Sequence, residues 1–432
     1  MISHELILPE KPPIIAFAQQ FNVAMIAAEL KQKDSEVSVK ISHRVSQVKP
    51  AATIVVAAKA RELRAAGRDI ISLGFGEPDF DTPEHIKQAA IAAINAGQTK
   101  YTPVDGTNEL KAAIIEKFER ENALSFQGNQ VIVSNGAKQS IFNLMLAVLN
   151  DEDEVIIPAP YWVSYPDMVK LAGGQPMILN TGIESDFKIS ARQLQNSLTD
   201  NTRMLLINSP SNPTGKVYSA EDYRAIADVL VDHPKVLVVC DDIYEHIYWG
   251  EKPFKTLLNC CPELGDRTVV VNGVSKAYAM TGWRIGYAAG PAEIIGAMKK
   301  VQSQSTSGAC SISQAAAAAA LSGPQQCVED MRLEFKRRYE YLLGALNEIE
   351  GVECPECDGA FYAFPSFNET IERMPNVRDD IELASWLLEN AEVALVPGTA
   401  FGAPGHLRLS FATSMEHLET VVARISKALS TI

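Results

Sequence analysis

Short runs of branched apolar residues alternate with amphipathic stretches through the middle of the chain. The apolar runs are QVIVS (130–134), EVIIP (154–158), MLLIN (204–208), VLVVC (236–240), TVVVN (268–272) and IGYAAG (285–290). Between them, stretches such as 141–149 and 223–230 repeat their apolar residues at helical spacing. Continuous Val, Ile and Leu strands that are separated by helices are typical of a parallel sheet covered on both faces. The pattern predicts a doubly wound α/β domain with a mostly parallel sheet.

The C-terminal part of the chain shows a different pattern of apolar and polar residues. Helical patterns at 325–349, 380–390 and 414–430 enclose apolar runs at 359–367, 391–398 and 406–413. Strands and helices mixed in this way predict a second, smaller α+β domain.

Composition narrows the class of protein. The 432 residues include 53 Asp and Glu against 39 Lys and Arg, so the formal net charge is −14, which disfavours a nucleic-acid binder. No run approaches the roughly 18 apolar residues that cross a bilayer. Seven cysteines are an odd number, and the chain lacks the composition of a disulfide scaffold, so a reducing compartment is favoured. We therefore predict a soluble, cytoplasmic protein that binds neither membrane nor nucleic acid.

Two further features predict no chemistry of their own. Residues 1–40 contain no Arg, and their apolar stretch is interrupted by Gln and Asn, which fits neither a secretory signal nor a transit peptide. We expect a surface helix or arm there, unless the start codon is assigned too early. Cys354 and Cys357 form a CPEC motif, but no second pair and no His cluster lies at ligand spacing, so we expect no metal site.

Polar and aromatic groups follow nearly every predicted strand of the central domain. In chain order they are Asn135-Gly136-Ala137-Lys138, Tyr161 and Trp162, NSPSNPTG (208–215) with Asn212, Asp241-Asp242-Ile243-Tyr244, and Gly273-Val274-Ser275-Lys276. Taken singly, each has an ordinary structural role: a turn at Asn212, packing at Trp162, a helix cap at Asp241. Because ligands bind beyond the carboxyl ends of an open parallel sheet, their joint occurrence predicts one shared site.

A lysine at the end of a buried strand suggests the chemistry of that site. Burial would lower the pKa of Lys276, and its amine could form an imine with a carbonyl. A Schiff-base lysine with an acid for a pyridine nitrogen is the pairing that a pyridoxal phosphate enzyme needs, and Asp241 is the candidate acid. The other candidate contacts are Trp162 for ring stacking, Asn212 and Tyr244 for the phenolic oxygen, and the turn at Gly136 for the phosphate. GKV (215–217) and GFGEPD (74–79) are incomplete as nucleotide motifs.

With these residues assembled, the chain resembles the class I pyridoxal phosphate aminotransferases of fold type I, and most closely the prokaryotic-type aspartate aminotransferases, over about residues 41–432. The motifs that carry the resemblance are SKAYAMTGWRIGY (275–287), NPTG (212–215), GEPDFDTP (76–83), KYTPVDG (100–106), YWVSYP (161–166), GAFY (359–362) and VPGTAFG (396–402). The resemblance implies a homodimer with shared active sites. The implied division is 1–40 for an N-terminal extension, 41–84 for a segment associated with the small domain, 85–325 for the large cofactor domain and 326–432 for the small domain.

The resemblance also implies a role for each matched residue. Lys276 would carry the cofactor and move the proton, and Asp241 would pair with the pyridine nitrogen. The remaining cofactor contacts would be Trp162 on the ring, Asn212 and Tyr244 at its 3-oxygen, Arg284 with Gly136 and Ala137 at the phosphate, and Tyr101 at the phosphate of the other subunit. Arg408 would bind the substrate α-carboxylate beside Gly76 and Asn212, because its guanidinium suits a bidentate pair.

The implied substrate is less narrowly fixed than the implied cofactor. In the relatives, a Lys and a Thr at the positions of Lys138 and Thr53 handle the distal carboxylate of a dicarboxylic substrate; alternatively, Lys138 only supplements the phosphate site. The favoured reaction is L-aspartate with 2-oxoglutarate in two ping-pong half-reactions. Prephenate amination, or turnover of alanine or aromatic amino acids, is the alternative within the family. A ligand-sensing module and a C–S lyase are the alternatives of other classes.

Two positions depart from the family's usual pattern. Asp242 stands where Glu is common, directly after the candidate acid Asp241. Gly273 stands where some relatives have a Ser three residues before the lysine, so we expect one phosphate contact to be absent.

Overall fold

The computed structural model describes residues 40–48 and 52–431, with only the backbone of Ala52. The predicted N-terminal extension therefore lies outside the described residues, apart from Lys40. The described residues up to Ser46, numbers 40–46, belong to a unit of their own and include a short exposed helix, α1 (His43–Ser46). Residues 47–432 group into a second compact unit, so the domain boundaries expected within it stay predictions.

Helices and strands alternate along this second unit. The helices are α2 (Ala52–Ala65), α3 (Glu84–Asn95), α4 (Asn108–Asn122), α5 (Ala137–Val148), α6 (Tyr165–Leu171), α7 (Ala191–Ser197), α8 (Ala220–Leu230), α9 (Leu257–Cys260), α10 (Ala292–Ser303), α11 (Ser311–Ser322), α12 (Gln326–Asn347), α13 (Asn368–Arg373), α14 (Asp380–Asn390) and α15 (Met415–Leu429). The strands are β1 (Ile71–Ser72), β2 (Val131–Ser134), β3 (Glu154–Ala159), β4 (Gln175–Asn180), β5 (Thr202–Asn208), β6 (Leu237–Asp241), β7 (Thr268–Gly273), β8 (Gly286–Ala289), β9 (Tyr362–Ala363), β10 (Val393–Ala394), β11 (Val396–Pro397) and β12 (Leu407–Ser410). No helix in the described ranges is long and apolar enough to cross a membrane.

A seven-stranded sheet lies at the centre, in the order β2-β8-β7-β6-β5-β3-β4. Only β8 runs antiparallel to its neighbours, which gives the carboxyl ends of the other strands and the amino end of β8 a common edge. All six apolar runs form strands, so the prediction of a mostly parallel α/β sheet is confirmed. The edge strand β4 was not predicted, because its half-exposed sequence QPMILN is neither a continuous apolar run nor a clean alternation.

Helices cover both faces of this sheet. Successive strand residues point to opposite faces, so Val238 packs in one hydrophobic cluster with Phe118 of α4, while Val239 packs in another with Leu144 of α5. Both clusters are built mainly from buried residues. The burial on both sides explains why the strands are continuous Val, Ile and Leu runs.

The C-terminal residues build a third cluster. The strands β11, β12 and β9 form a small antiparallel sheet, and β1 pairs in parallel with β10. Phe335 of α12, Leu409 of β12 and Ile425 of α15 pack together there. This arrangement agrees with the expected mixture of helices and strands. It also holds β12, which carries Arg408, in place.

Candidate active site

A cavity of about 410 Å³ opens at the edge of the central sheet where the strand carboxyl ends meet. The predicted site residues on its wall are Thr53, Gly76, Ala137, Lys138, Trp162, Asn212, Asp241, Tyr244, Lys276, Arg284 and Arg408. Gly136 directly precedes Ala137 and lies behind the wall. Tyr101 does not line the cavity, and its side chain is fully exposed. Residues from both ends of the chain thus converge on one site.

Lys276 lies three residues beyond the end of β7, with its amine inside the cavity. Its Nζ donates a hydrogen bond of 2.5 Å to the carbonyl oxygen of Gly76. Burial, with smaller effects from the Arg284 and Arg408 cations, lowers the pKa of Lys276 to about 8, although Glu77 and Asp241 act in the opposite direction. A lysine with such a pKa has an appreciable fraction of unprotonated amine near neutral pH. The expected lowering of its pKa is therefore found in the structure.

Asp241 ends the central strand β6 and is almost fully buried. Its Oδ2 accepts a hydrogen bond of 2.6 Å from the hydroxyl of Tyr165, while Oδ1 has no partner among the described residues. Burial raises the pKa of Asp241 to about 6, against the lowering effect of the Tyr165 hydroxyl. An unpaired buried carboxylate oxygen is costly, so Oδ1 is suited to receive a proton donor from a ligand.

The turn between β2 and α5 forms an anion cradle. Gly136 caps α5 with a φ of 87°, and a Cβ atom added there would lie 2.2 Å from Nη2 of Arg284. Arg284 immediately precedes Ile285 and β8, the antiparallel strand whose amino end lies at this edge, and its guanidinium donates to the carbonyl oxygens of Thr281 and Asn135 at 2.9 and 3.3 Å. A helix amino terminus with an arginine beside it attracts a phosphate.

A close backbone approach explains one of the two sequence departures. A Cβ atom on Gly273 would lie 3.0 Å from the Cα atom of Gly286 and 3.0 Å from the carbonyl oxygen of Ile285. A serine at this position would therefore require β7 and β8 to move apart. The hydroxyl that some relatives carry there has no room in this chain.

Arg408 on β12 is a buried cation that lacks a counter-charge. Its Nη1 donates to Oδ1 of Asn212 at 2.9 Å and its Nη2 donates to the carbonyl oxygen of Gly74 at 2.8 Å, while Nε has no partner. The guanidinium lies over the rings of Tyr362 and Phe401, 4.5 and 4.9 Å from their centroids. Among the described residues, no carboxylate lies within salt-bridge distance of it. A buried cation held only by neutral groups is suited to a carboxylate of a ligand.

Lys138 also lies on the cavity wall, beside Trp162. Its Nζ is 4.6 Å from the centroid of the Trp162 ring and donates a hydrogen bond of 3.2 Å to the hydroxyl of Ser164. Burial lowers the pKa of Lys138, and the Arg284 cation lowers it further. Neither contact neutralises the ammonium, so it is available to a second anionic group of a ligand.

Several side chains on the wall were not assigned from the sequence. They are Ile54, Ala57, Arg61, Phe75, Glu77, Ile141, Tyr165, Asn208, Ile243, Ser275, Thr281 and Tyr362. Tyr362 lies within the GAFY motif, and its hydroxyl is 2.8 Å from that of Tyr244. Arg61 could have been found from its helical spacing, because Thr53 and Ala57 precede it at four-residue intervals on the same face of α2.

Comparison with known proteins decides the family. A family model described as aminotransferase class I and II matches residues 68–425. The chain belongs to the class I and II aminotransferases. The family inferred from the motifs is therefore confirmed for most of the length of this aminotransferase.

Relatives of this aminotransferase cover nearly the whole chain. An aspartate/prephenate aminotransferase of Nitrosomonas europaea is 55% identical over 90% of this chain and 100% of its own. An aspartate aminotransferase of Geobacillus stearothermophilus is 49% identical over 90% of this chain and 98% of its own. The crystal structure of the aspartate aminotransferase from Rhizobium meliloti superposes with a TM-score of 0.88 at 46% identity, over 91% of this chain and 99% of that one. Fold type I, with its large and mostly parallel sheet, is confirmed.

Proposed function

We propose that this aminotransferase uses pyridoxal phosphate and transfers the amino group of L-aspartate to 2-oxoglutarate, yielding oxaloacetate and L-glutamate. One observation carries the proposal. The amine of Lys276, with a pKa of about 8, lies in the same cavity as the buried side chains of Asp241 and Arg408. Among the described residues, Oδ1 of Asp241 and Nε of Arg408 have no hydrogen-bond partner. These three side chains are an amine, an acid and a carboxylate receptor, the three groups that amino transfer from an amino acid requires.

The residues present fit the cofactor. The unpartnered Oδ1 of Asp241 would hold the proton of the pyridine nitrogen, and Tyr244 and Asn212 would bond the 3-oxygen. Gly136, Ala137 and Arg284 would hold the phosphate, since Gly136 caps the amino end of α5 directly beside the Arg284 guanidinium. When bound, pyridoxal phosphate supplies an aldehyde for amines and a ring that accepts electron density.

The chain's own residues orient the substrate and move its proton. Arg408 binds the α-carboxylate as a fork, held in place by Asn212 and the Gly74 carbonyl oxygen. This fixes the Cα–H bond relative to the amine of Lys276, which acts as the general base on that proton because its pKa of about 8 lies near neutral pH. Asp241 stays ionised opposite a positive nitrogen, since a nearby opposite charge lowers the pKa of a carboxyl.

Lys138 and Thr53 support a dicarboxylic substrate. Both lie on the cavity wall, and the Lys138 ammonium has no carboxylate partner among the described residues. The aspartate aminotransferase of Thermus thermophilus, 44% identical with a TM-score of 0.85 over 90% of this chain and 100% of its own, was crystallised with maleate, a dicarboxylate. Prephenate is the second candidate, because relatives from Nitrosomonas europaea and Cereibacter sphaeroides, 55% and 52% identical, are named aspartate/prephenate aminotransferases.

We further propose that the chain forms a homodimer and that it is cytoplasmic. Tyr101 is fully exposed on the loop between α3 and α4, and this exposure supports a role for it at the phosphate site of a second subunit. Ile91 and Ile94 on α3, which precedes this loop, are also exposed. The seven cysteines are free thiols, as expected in a reducing compartment.

Cofactor spectra and a substrate panel test the proposal. The purified chain should develop visible absorbance with pyridoxal phosphate, and the Lys276→Ala variant should bind the cofactor without that absorbance and with negligible turnover. Aspartate, prephenate with an amino donor, alanine and phenylalanine should be assayed side by side. Turnover retained by Lys276→Ala would contradict the mechanism, and a preference for alanine or phenylalanine would contradict the role of Lys138.

A further inference from the structure

A buried charged cluster lies outside the residues that line the cavity. Lys117 of α4 is fully buried, and its ammonium contacts the carboxylate of Glu245, Oδ1 of Asn122 at 2.7 Å and Oε2 of Glu121 at 3.5 Å. Lysine is almost never fully buried unless it is paired. Packing alone therefore does not explain why charged groups are buried here.

Glu245 is the acceptor at the centre of this cluster. Its Oε1 accepts from Lys117 and from Nδ2 of Asn272 at 2.6 Å, and its Oε2 accepts from Nδ2 of Asn122 at 2.8 Å. Burial by itself raises the pKa of Glu245, but the Lys117 ammonium and the hydrogen bonds more than offset it, so the pKa is lowered. Three donors around one side chain require an ionised carboxylate, because an amide would turn a donor toward one of them.

The cluster connects the two chain segments that carry the reactive groups. Glu245 directly follows Tyr244 and lies four residues after Asp241, at the carboxyl end of β6. Asn272 belongs to β7 and lies four residues before Lys276. The Glu245–Asn272 hydrogen bond thus joins the segment of Asp241 and Tyr244 to the strand end that presents Lys276.

A metal ion does not account for the cluster. Ligand atoms of Glu121, Glu245 and His246 lie within 4.8 Å of one another, and Nε2 of His246 is 2.9 Å from Oε2 of Glu121. The ammonium of Lys117, however, already contacts both carboxylates and supplies the positive charge. A cation would have to displace a buried lysine that has no exposed surface.

We propose that Lys117, Glu245 and Asn272 are positioning residues, which fix Asp241 and Tyr244 relative to Lys276; the inference rests on the proposed pyridoxal phosphate chemistry. A buried ion pair seldom adds stability over apolar residues of similar volume, because both charges lose their hydration. The hydrogen bonds of this ion pair are directional, however, so they fix the position of the β6 end relative to the β7 end. Displacement of catalytic groups by about 1 Å reduces rates by about 100-fold, so such a fixation is valuable to the reaction.

The first experiment replaces the cation in the full chain loaded with pyridoxal phosphate. In Lys117→Met, Glu245 loses its charged partner and its hold on Asn272 is weakened, while the backbone pairing of β6 with β7 remains. We expect kcat to fall at least about tenfold while KM for aspartate stays within about twofold, since Arg408 is untouched. The pH midpoint of the visible absorbance should move by at least about 0.5, because it reports on the surroundings of Lys276. Lys87→Met, which removes an exposed lysine paired with Glu84, is the matched control and should leave all three quantities unchanged.

Asn272→Ala is the second variant, because Lys117→Met could fail to fold. It leaves the Lys117–Glu245 ion pair intact and removes the side-chain bond from Asn272 to Glu245, together with the bond that Oδ1 of Asn272 accepts from the Gly273 N–H, so it should show the same loss of kcat and the same displacement of the pH midpoint. A folded variant of either kind with the parent kcat and midpoint, whatever its thermal midpoint, would overturn the proposal. A parent chain that develops no visible absorbance with pyridoxal phosphate would instead refute the proposed function.

Discussion

The hydrogen bond between Tyr165 and Asp241 sets the charge of the acid in the cavity. The hydroxyl donates to Oδ2 at 2.6 Å between two buried side chains, and Oδ1 has no hydrogen-bond partner among the described residues. Replacement of Tyr165 by Phe removes this donor and nothing else. Because the bond stabilises the ionised carboxylate, its loss should raise the pKa of Asp241 above its present value of about 6.

The magnitude follows from the energy of such a bond. A hydrogen bond to a charged group contributes about 1.5–3 kcal/mol, and about 1.4 kcal/mol corresponds to one pH unit. The pKa of Asp241 should therefore rise by about one to two pH units in Tyr165→Phe. At pH 7 the carboxyl is mostly ionised in the parent protein, and in the variant it would be about half protonated or more.

The sign of the stability effect is fixed by the same numbers. The pKa of Asp241 is about 6 in the folded chain and 3.8 ordinarily, so the folded state binds the proton more tightly. The stabilisation from that proton is fully present below pH 3.8 and is lost as the pH rises through 6. With a difference of 6 − 3.8, about two pH units, the cost is about 3 kcal/mol at pH 8. Tyr165→Phe should lower the stability by about 1.5–3 kcal/mol more at pH 9 than at pH 4.

Denaturant unfolding of the cofactor-free protein at several pH values measures this difference. Tyr287→Phe is the matched control, because the Tyr287 hydroxyl is also buried but has no hydrogen-bond partner in the described part of the chain. Carboxyl NMR of Asp241 should show the raised pKa directly. A loss of stability in Tyr165→Phe that is equal at pH 4 and pH 9 would refute the reasoning, since it would mean that the hydroxyl only packs.

Three further substitutions have defined outcomes. Gly136→Ala should weaken pyridoxal phosphate binding at least about tenfold in a fluorescence titration. The φ of 87° at Gly136 disfavours a side chain, and the added Cβ atom would lie 2.2 Å from Nη2 of Arg284. Unchanged affinity would contradict the proposed phosphate site at this turn. Arg408→Met should cost about 2–5 kcal/mol of carboxylate binding, seen as a KM for aspartate at least about 30-fold higher. Its thermal midpoint should not fall, because a buried cation without a counter-charge is replaced by an apolar group. Arg61→Gln should raise KM for dicarboxylic donors about fivefold and not for alanine, whereas Lys59→Gln, which only removes an exposed pair with Glu62, should alter neither.

Much of the fold could be predicted because burial leaves a plain signal. The strands β2, β3, β5, β6 and β7 are buried on both faces and read as continuous apolar runs. The strand β4 gave no such signal, since it lies at the edge of the sheet and is only half buried. The antiparallel direction of β8 also could not be predicted, because the sequence of a strand does not state its direction. That direction matters here, since it brings Arg284 to the carboxyl edge of its neighbours.

Candidate site residues that stand in a motif with known chemistry could be predicted from the sequence. Residues that are placed only by tertiary packing were missed. Lys276, Asp241 and Asn212 stand in motifs with a known chemical logic, and all three lie on one cavity wall. Tyr165 stands in the quoted YWVSYP segment, but the bond to Asp241 spans 76 positions and requires the tertiary structure. Lys117 reads from the sequence as an ordinary charged position of an amphipathic helix, because nothing local indicates its burial.

The cavity concentrates charge of the sign opposite to that of the chain. The chain carries a formal net charge of −14, yet the wall contains the cations Arg61, Lys138, Lys276, Arg284 and Arg408 against the acids Glu77 and Asp241. Since local charges in a confined site outweigh the distant net charge, anions are attracted there. Burial is the main cause of the lowered pKa of Lys276, and the Arg284 and Arg408 cations lower it further. The arginines proposed to bind phosphate and carboxylate would thus also help to keep part of the lysine amine unprotonated. Bound anions would neutralise those arginines and return the lysine toward the protonated state, so anion binding and amine reactivity are coupled through the same charges.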